Sequence, residues 1–478
     1  MPTSARNGAA GLTAARDKMR EAGVDEVAVE TFAHYYRLLE HGETGMVPES
    51  TIDPLDMPSL ADVEVSDEDA LAAVRKTVVI KLNGGLGTSM GMDRAKSLLC
   101  VRRGLSFLDI AVRQVLKLRE KYEAPLPLVF MNSFRTSQDT LDAVARYADL
   151  PVDGIPLEFL QNKEPKLLVD GLTPASWPKD PSLEWCPPGH GDIYTALQGS
   201  GMLDTLIEAG YRYVFVSNSD NLGAIPDARV AGWFATSGAP FAIEAVRRTA
   251  SDRKGGHFAR RKSDGRIVLR ETAQTLDEDK SALADLSRHK YTSTNNLWFD
   301  LHAMKKTLTE RQGILGLPMI RNVKTVDPAD PSSPSVIQIE TAMGAAIEVF
   351  DGAQTIEVGR DRFVPVKTTN DLLVLRSDVY DISPDFVLDQ VSDEVPFVDL
   401  KGDFYKLVGE FDKRFPDGAP SMKDASSVRI DGDFTFGRGV TFTGDVALTA
   451  PAAQRVDSGA VLGESTASLE SSAPTRSE

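Results

Sequence analysis

The 478-residue sequence holds only two cysteines, Cys100 and Cys186. Two isolated thiols supply neither a disulfide framework nor a zinc site, and reduced, cytoplasmic thiols are the simplest reading. Long apolar runs are missing as well. No stretch approaches the ~20 apolar residues of a membrane span, and the opening MPTSARNGAAGLTAARDKM lacks a signal-peptide core. A cytosolic protein with no membrane partner is therefore expected. Positive charge is in deficit, with 53 Lys plus Arg against 70 Asp plus Glu and a formal net charge of -17. This disfavours a protein that tracks a nucleic-acid backbone. A small polyanion remains compatible, because a few lysines and backbone amides in one cleft reverse the potential locally. Such a ligand needs identifiable lysines.

The composition is otherwise that of a globular chain, 42% hydrophobic and 26% charged, and its length suggests two or three compact units. Val27, Val29, Phe32, Tyr35, Tyr36 and Leu39 recur at three- and four-residue spacings, predicting an amphipathic helix over 24–40. A connector rich in Gly, Pro and acidic residues follows over 41–70, so 1–75 reads as a helical extension. From Lys76, the apolar runs TVVI (77–80), LPLVFM (126–131), YVFV (213–216) and FAIEAV (241–246) alternate with helical patterns at 107–122 and 192–208. The alternation predicts a mainly parallel sheet with helices on both faces, occupying 76–385. Ligands of such sheets bind beyond the carboxyl ends of the strands.

The region 386–450 differs. Val428, Phe434, Val440 and Val446 repeat every six residues, and Ile430, Phe436, Phe442 and Leu448 repeat alongside them. Two apolar registers of period six predict a parallel β-helix, with an antiparallel meander as the other arrangement. Its exposed flank would support self-association. The pattern breaks at Gln454, and the Ser, Ala, Glu and Thr-rich stretch 451–478 is expected to be disordered.

The strand at 77–80 runs into KLNGGLGTSMGMDRAKS, residues 81–97. Clustered glycines after a strand suit a phosphate-binding turn, because missing β-carbons let backbone amides approach oxygens, although a turn that merely bends the chain uses glycines too. The turn is not a P-loop, since the first lysine after Gly91 is Lys96, preceded by Ala95. Nor is it a dinucleotide fingerprint, since the glycines fall at 84, 85, 87 and 91. Asp220 follows the strand YVFV, where a carboxylate flanked by Asn218 and Asn221 suits either a magnesium ion or a turn cap. His190 lies in PPGHGD, stiffened by prolines and opened by glycines.

The string LNGGLGTSMG followed by a lysine resembles the opening signature of the eukaryotic-type UTP-glucose-1-phosphate uridylyltransferases, LNGGLGT-S/T-MG followed by K-G-P-K-S. The likeness continues through MNSFRTSQDT (131–140), FLQNKEPKL (159–167), WCPPGHGDIYTAL (185–197), VFVSNSDNLGA (214–224), STNNLWFDL (293–301), ETAMGAAIEVF (340–350) and RFVPVKTTNDLLVLRSDVY (362–380). Some of these blocks occur in looser form in UDP-N-acetylhexosamine pyrophosphorylases. The resemblance implies a doubly wound, GT-A-like nucleotidyltransferase domain with a small C-terminal left-handed parallel β-helix. It also implies UTP and glucose 1-phosphate as substrates and Mg2+ on Asp220.

By the same resemblance, Leu82, Asn83, Gly84, Gly85, Gln161 and Gly189 bind the nucleotide, with Gln161 reading the uracil edge through its amide. His190, Asn218 and Asn296 bind the sugar phosphate. Lys96 and Lys367 are the catalytic cations, Lys96 facing the departing pyrophosphate and Lys367 the α-phosphate. An ionised phosphate monoester needs no general base, so the residues should act by positioning. The sequence departs from the pattern at Asp93, Arg94 and Ala95, where Asp93 should point away from the triphosphate and Arg94 supply the missing charge. Cys186 and Ser293 also depart from it, and both are expected to retune the sugar pocket. The readings that compete are the same chemistry on N-acetylglucosamine or galactose 1-phosphate, and a catalytically silent nucleotide-sugar-binding subunit.

Overall fold

The structure is a computed structural model that describes residues 4–249, 252, 253 and 255–463, with side chains from residue 10 onward. Its centre is a seven-stranded sheet of β1 (Thr77–Leu82), β2 (Leu128–Asn132), β3 (Glu158–Leu160), β4 (Tyr213–Asn218), β5 (Phe241–Arg247), β6 (Tyr291–Asp300) and β7 (Gln354–Glu357). The spatial order is β7-β5-β6-β4-β1-β2-β3. The four apolar runs singled out above are strands β1, β2, β4 and β5.

Strands β4, β1, β2 and β3 are mutually parallel, as are β5 and β7, whereas β6 runs antiparallel to both β4 and β5. Six of the seven strands therefore share one direction, so the sheet is mainly parallel as expected, with β6 the strand that runs against the rest. The link from β5 to β6 passes through a small antiparallel sheet, Ile52–Pro54 with His257–Arg261 and Ile267–Arg270, not through a long crossover helix. The chain consequently re-enters in the opposite sense.

Successive side chains of a strand point to opposite faces, and both faces are buried. Val78 and Ile80 enter a core with Ile193, Leu197, Leu206 and Met304, while Val79 enters a second core with Val74, Val112, Val230 and Phe234. Each such buried side chain contributes about 1.5–3 kcal/mol. Helices Ile193–Gly199, Met202–Glu208 and Leu301–Glu310 supply the first core; helices Asp67–Arg75, Phe107–Tyr122 and Ala228–Ser237 supply the second. The pattern at 107–122 is one helix, started by a reciprocal Ser106–Asp109 capping box. The pattern at 192–208 is two helices, parted where Gly201 takes φ +74°.

The N-terminal extension opens with two helices, Ser4–Glu21 and Glu26–Glu40, packed on Leu167, Ile337 and Ile339, and its connector is tied in through the strand Ile52–Pro54 and the helix Asp67–Arg75. In the C-terminal region, β8 (Phe397–Leu400), β9 (Ser421–Asp431), β11 (Thr441–Thr449) and β13 (Val461–Leu462) form one parallel ladder. Strands β10 (Phe434–Phe436) and β12 (Gln454–Val456) form a second parallel pair. Parallel pairing excludes the antiparallel meander.

The expectation that order ends at Gln454 is corrected, because β12 and β13 continue the ladders. Val428 pairs with Val446, 18 residues on, but Phe436 pairs with Val456 and Phe442 with Leu462, 20 residues on. Two extra residues lengthen one turn and shift the period-six register without ending it. Positions 464–478, the rest of the expected tail, lie outside the described residues. The ladders share a continuous core with the centre of the chain, where Met90, Val366 and Leu373 join Tyr405, Phe411 and Phe436. Among the described residues, no helix is long and apolar enough to cross a membrane.

Candidate active site

The glycine-rich turn leaves β1 at its carboxyl end, beside the ends of β2, β3 and β4, and walls a cleft of about 290 Å³. Its lining includes Leu82, Asn83, Gly84, Gly85, Lys96, Gln161, Gly189, His190, Asn218 and Asp220. Ten of the twelve residues selected from sequence thus meet in one cavity. A second cavity of about 250 Å³ adjoins it through Asn218 and holds Lys367, with Glu271, Thr292, Ser293 and Asn295.

Local chemistry explains several placements. A Cβ on Gly84 would lie 2.6 Å from Gln161 Oε1, so glycine is what lets the turn pass the Gln161 amide. Gln161 in turn donates from Nε2 to the Gly189 carbonyl at 3.0 Å, joining the β3 end to the 187–192 loop. Gly189 has φ +81°, and a Cβ there would meet Thr341 O at 2.5 Å. Asn83 directs its side chain away from the cleft, donating to Asn132 Oδ1 and Thr140 Oγ1 at 2.8 Å each. Both hydrogens of its amide are thus taken.

His190 Nδ1 accepts from the Met343 amide at 2.9 Å, which leaves the imidazole proton on Nε2. Burial pushes its pKa down to about 4, so the ring is a neutral donor at neutral pH and a poor base. Lys96 Nζ lies 2.6 Å from Asp220 Oδ2 and also donates to the Val366 carbonyl. Lysine and carboxylate are therefore paired across the cleft mouth. Lys367 is exposed, and among the described residues its ammonium makes no hydrogen bond. The nearby Glu271 carboxyl is raised above its usual range by burial, opposed by the Lys367 charge.

Asn296 is not brought to either cavity. It is fully buried, and its amide donates to Glu244 Oε2 at 3.0 Å. The chain reverses its facing at Asn295, which adopts φ +57°, and the register slips between Ile243 and Ala245. As a result Asn295 lines the second cavity in place of its neighbour. Arg94 does not supply charge to the cleft: Asp93 and Arg94 are both exposed and approach each other at 3.8 Å. Asp93, like Arg94, does not line the cleft. Ser293 lines the second cavity, but Cys186 does not, its thiol facing the Glu164 carbonyl at 3.7 Å.

Sequence reasoning missed Glu271 and Asn295. Glu271 directly follows the strand Ile267–Arg270, so the rule that singled out Asp220 would have found it in the smaller sheet. Away from the cleft, Glu49, His257 and His289 bring ligand atoms within 4.8 Å of one another. Arg270 donates to His257 Nε2 at 3.1 Å and, with Arg288, pairs with Glu49. Two guanidiniums fill that polar corner, and they disfavour a metal there.

The fold and cleft define a class: a mixed α/β protein with an anion-receptive glycine turn, a lysine and a carboxylate converging at the strand ends. A profile described as UTP--glucose-1-phosphate uridylyltransferase matches residues 29–443. The chain is 38% identical over 395 residues to a probable UTP--glucose-1-phosphate uridylyltransferase of Schizosaccharomyces pombe, covering 81% of this chain and 76% of that protein. It is 38% identical over 403 residues to the UTP--glucose-1-phosphate uridylyltransferase of Hordeum vulgare, covering 83% and 82%. Among solved structures, a Leishmania major UDP-glucose pyrophosphorylase mutant in complex with UDP-glucose superposes with TM-score 0.89 at 43% identity, covering 95% of this chain and 98% of that one. A UDP-glucose phosphorylase from Trypanosoma brucei gives TM-score 0.89 at 40% identity, covering 95% and 98%. The chain belongs to the UTP-glucose-1-phosphate uridylyltransferase family.

Proposed function

We propose that the chain transfers the uridylyl group of UTP to glucose 1-phosphate, giving UDP-glucose and pyrophosphate. The observation that carries this reading is the adjacency of the two cavities at Asn218. One holds the Gly84–Gln161 wall and the Lys96–Asp220 pair, the other Lys367 and Glu271. The nucleotide occupies the first, with Gln161 against the base and backbone amides of the Leu82–Gly85 turn against phosphate. The sugar occupies the second, where Glu271, Thr292 and Asn295 offer hydroxyl partners, and its phosphate reaches the α-phosphate between them.

A phosphate oxygen of the sugar attacks the α-phosphorus in line. A new P–O bond forms, the bond to the bridging oxygen breaks, and pyrophosphate leaves without a protein-bound intermediate. No proton need move. His190, neutral and donating from Nε2, orients an oxygen rather than accepting a proton. Lys367 stabilises charge at the α-phosphate, and Lys96 turns from Asp220 to the β and γ phosphates.

Asp220 is the only residue proposed to hold a metal. Among the described residues no group of three or more His, Cys, Asp or Glu at ligand distance includes it. One carboxylate fits a magnesium ion that takes its remaining ligands from nucleotide phosphates and water, rather than a resident ion in a protein cage. When bound, Mg2+ would neutralise charge on the phosphates.

The finer architecture belongs to the same reading: a doubly wound, GT-A-like domain, with the parallel ladders of 397–462 as coils of a left-handed β-helix whose flank supports homo-oligomers. Cytosolic placement is consistent with the two reduced thiols. A pyrophosphate-release panel of nucleoside triphosphates against glucose, galactose and N-acetylglucosamine 1-phosphates tests the reading. UTP with glucose 1-phosphate should give the highest kcat/KM; preference for another sugar would reassign the second cavity, and no turnover with any pair would leave a binding subunit.

A further inference from the structure

The second face of the sheet is apolar except near the carboxyl ends of its strands, where a band of charge is buried. Lys81 on β1 is 2% exposed, and Ser217, its register partner on parallel β4, is fully buried. The Lys81 ammonium donates to Ser217 Oγ at 2.9 Å and to the Ala224 carbonyl at 2.8 Å. These contacts bracket the turn that carries Asn218 and Asp220. The same turn is tied on its outer side by Asn221, which accepts from the Val364 amide at 2.9 Å and donates to the Arg362 carbonyl at 3.1 Å.

Among the described residues, no carboxylate pairs with Lys81. Glu244 is fully buried in a bidentate pair with Arg362 at 2.7 Å for both bonds, and Asp220 pairs with Lys96. A buried ammonium without a contacting counter-ion is costly, and desolvation together with Arg362 pushes its pKa down to about 7, opposed by Asp220 and Glu244. A leucine or methionine would fill the same space without that cost. Its charge therefore calls for a role beyond packing, and the cleft directly beyond β1 is where anionic phosphates are proposed to sit.

We propose that Lys81 is a positioning residue for nucleotidyl transfer: its ammonium fixes the Ser217–Ala224 turn, holding Asn218 and Asp220 in register with the glycine-rich turn. Lys81 touches neither substrate nor metal and acts through that turn. The inference rests on the uridylyltransferase reading. It differs from a purely structural role in what its loss changes. A packing residue, when replaced, lowers stability but leaves the folded enzyme's constants intact, whereas misplacing Asp220 by a fraction of an ångström lowers turnover.

The test is Lys81→Met, which keeps length and removes charge, alongside Ser217→Ala, which keeps the charge and removes one acceptor. The parent is assayed first, since a parent that makes no UDP-glucose overturns the functional reading and not this inference. In an active parent background, folded Lys81→Met should lose roughly 10- to 100-fold in kcat, the scale of a small misplacement at a reacting centre. Its KM for glucose 1-phosphate should stay within about twofold, and its half-saturating Mg2+ should rise several-fold. Ser217→Ala should move kcat and Mg2+ dependence the same way by a smaller factor, and it decides the matter if Lys81→Met does not fold. A folded Lys81→Met with kcat and Mg2+ dependence within about twofold of the parent overturns the proposal, as does a Ser217→Ala unchanged in both.

Discussion

Replacing Gly84 with alanine isolates the Gly84–Gln161 wall of the cleft, proposed to read the base, from the Lys96–Asp220 pair. The new Cβ would lie 2.6 Å from Gln161 Oε1, about 0.8 Å short of the 3.4 Å at which ordinary contact begins. Gly84 is not among the positive-φ residues, so its backbone accepts alanine, and the obstacle is the far end of a flexible side chain. Folding should therefore change by less than about 1 kcal/mol. Gln161 should relieve the clash by rotating, which breaks its 3.0 Å bond to the Gly189 carbonyl and withdraws its amide from the place proposed for the base.

Two neutral hydrogen bonds at about 0.5–1.5 kcal/mol each amount to roughly 1–3 kcal/mol, or about a 5- to 150-fold rise in KM for UTP with kcat changed far less. In a Gln161→Ala background the obstruction is gone, and Gly84→Ala should cost little more. Steady-state kinetics of the four proteins completes the cycle. Additive effects, or a Gly84→Ala whose KM for UTP stays within about twofold of the parent, would refute the contact as the reason glycine stands there.

If Lys367 faces charge that grows in the transition state, as proposed, Lys367→Ala should lower kcat more than it raises KM for UTP, by about a hundred- to a thousandfold. Lys96→Ala should show a larger share of its loss in UTP binding, which equilibrium titration measures directly. Asp192 closes the 187–192 loop, its pKa raised to about 7 by burial although Asn162 hydrogen-bonds it. An acid with a raised folded pKa stabilises the fold relative to its ionised form, and that contribution is lost as pH rises from the ordinary carboxylate range through about 7. Thermal melts between those limits should show the fall, and Asp192→Asn should flatten it. Arg362→Met leaves the Glu244 carboxylate buried without its guanidinium, and should destabilise by about 3–5 kcal/mol in denaturant titration. A cost near zero would mean that the pair is not buried as described.

The strands and the turn after β1 are readable in sequence because their signals are local. TVVI alternates between two cores, and the glycines of LNGGLG directly follow it, so the carboxyl-end rule led to the turn and to Asp220, while Lys96, Gln161, Gly189, His190 and Asn218 came from the family resemblance. What escaped depends on backbone events that alternation cannot see. Asn295 at φ +57° resets the period-two count within β6, so Asn295 and not Asn296 lines the second cavity. The antiparallel sense of β6 follows from an excursion through residues distant in sequence, Ile52–Pro54 among them. Two extra residues in one turn hid β12 and β13 from a strict period of six. Lys81 was overlooked because a lysine at the end of an apolar strand reads as a strand terminus, and only its bonds to Ser217 and Ala224 reveal burial.

The central claim is that both substrates meet across Asn218, with Asp220 and the two lysines at the junction. It is tested most directly by initial-rate formation of UDP-glucose from UTP and glucose 1-phosphate with Mg2+, for the parent and for Asp220→Asn. Robust Mg2+-dependent synthesis by the parent, and a loss of about a hundredfold or more in kcat for a folded Asp220→Asn, is the predicted outcome. A parent that forms no UDP-glucose, or an Asp220→Asn that retains parental magnesium-dependent turnover, would contradict the account.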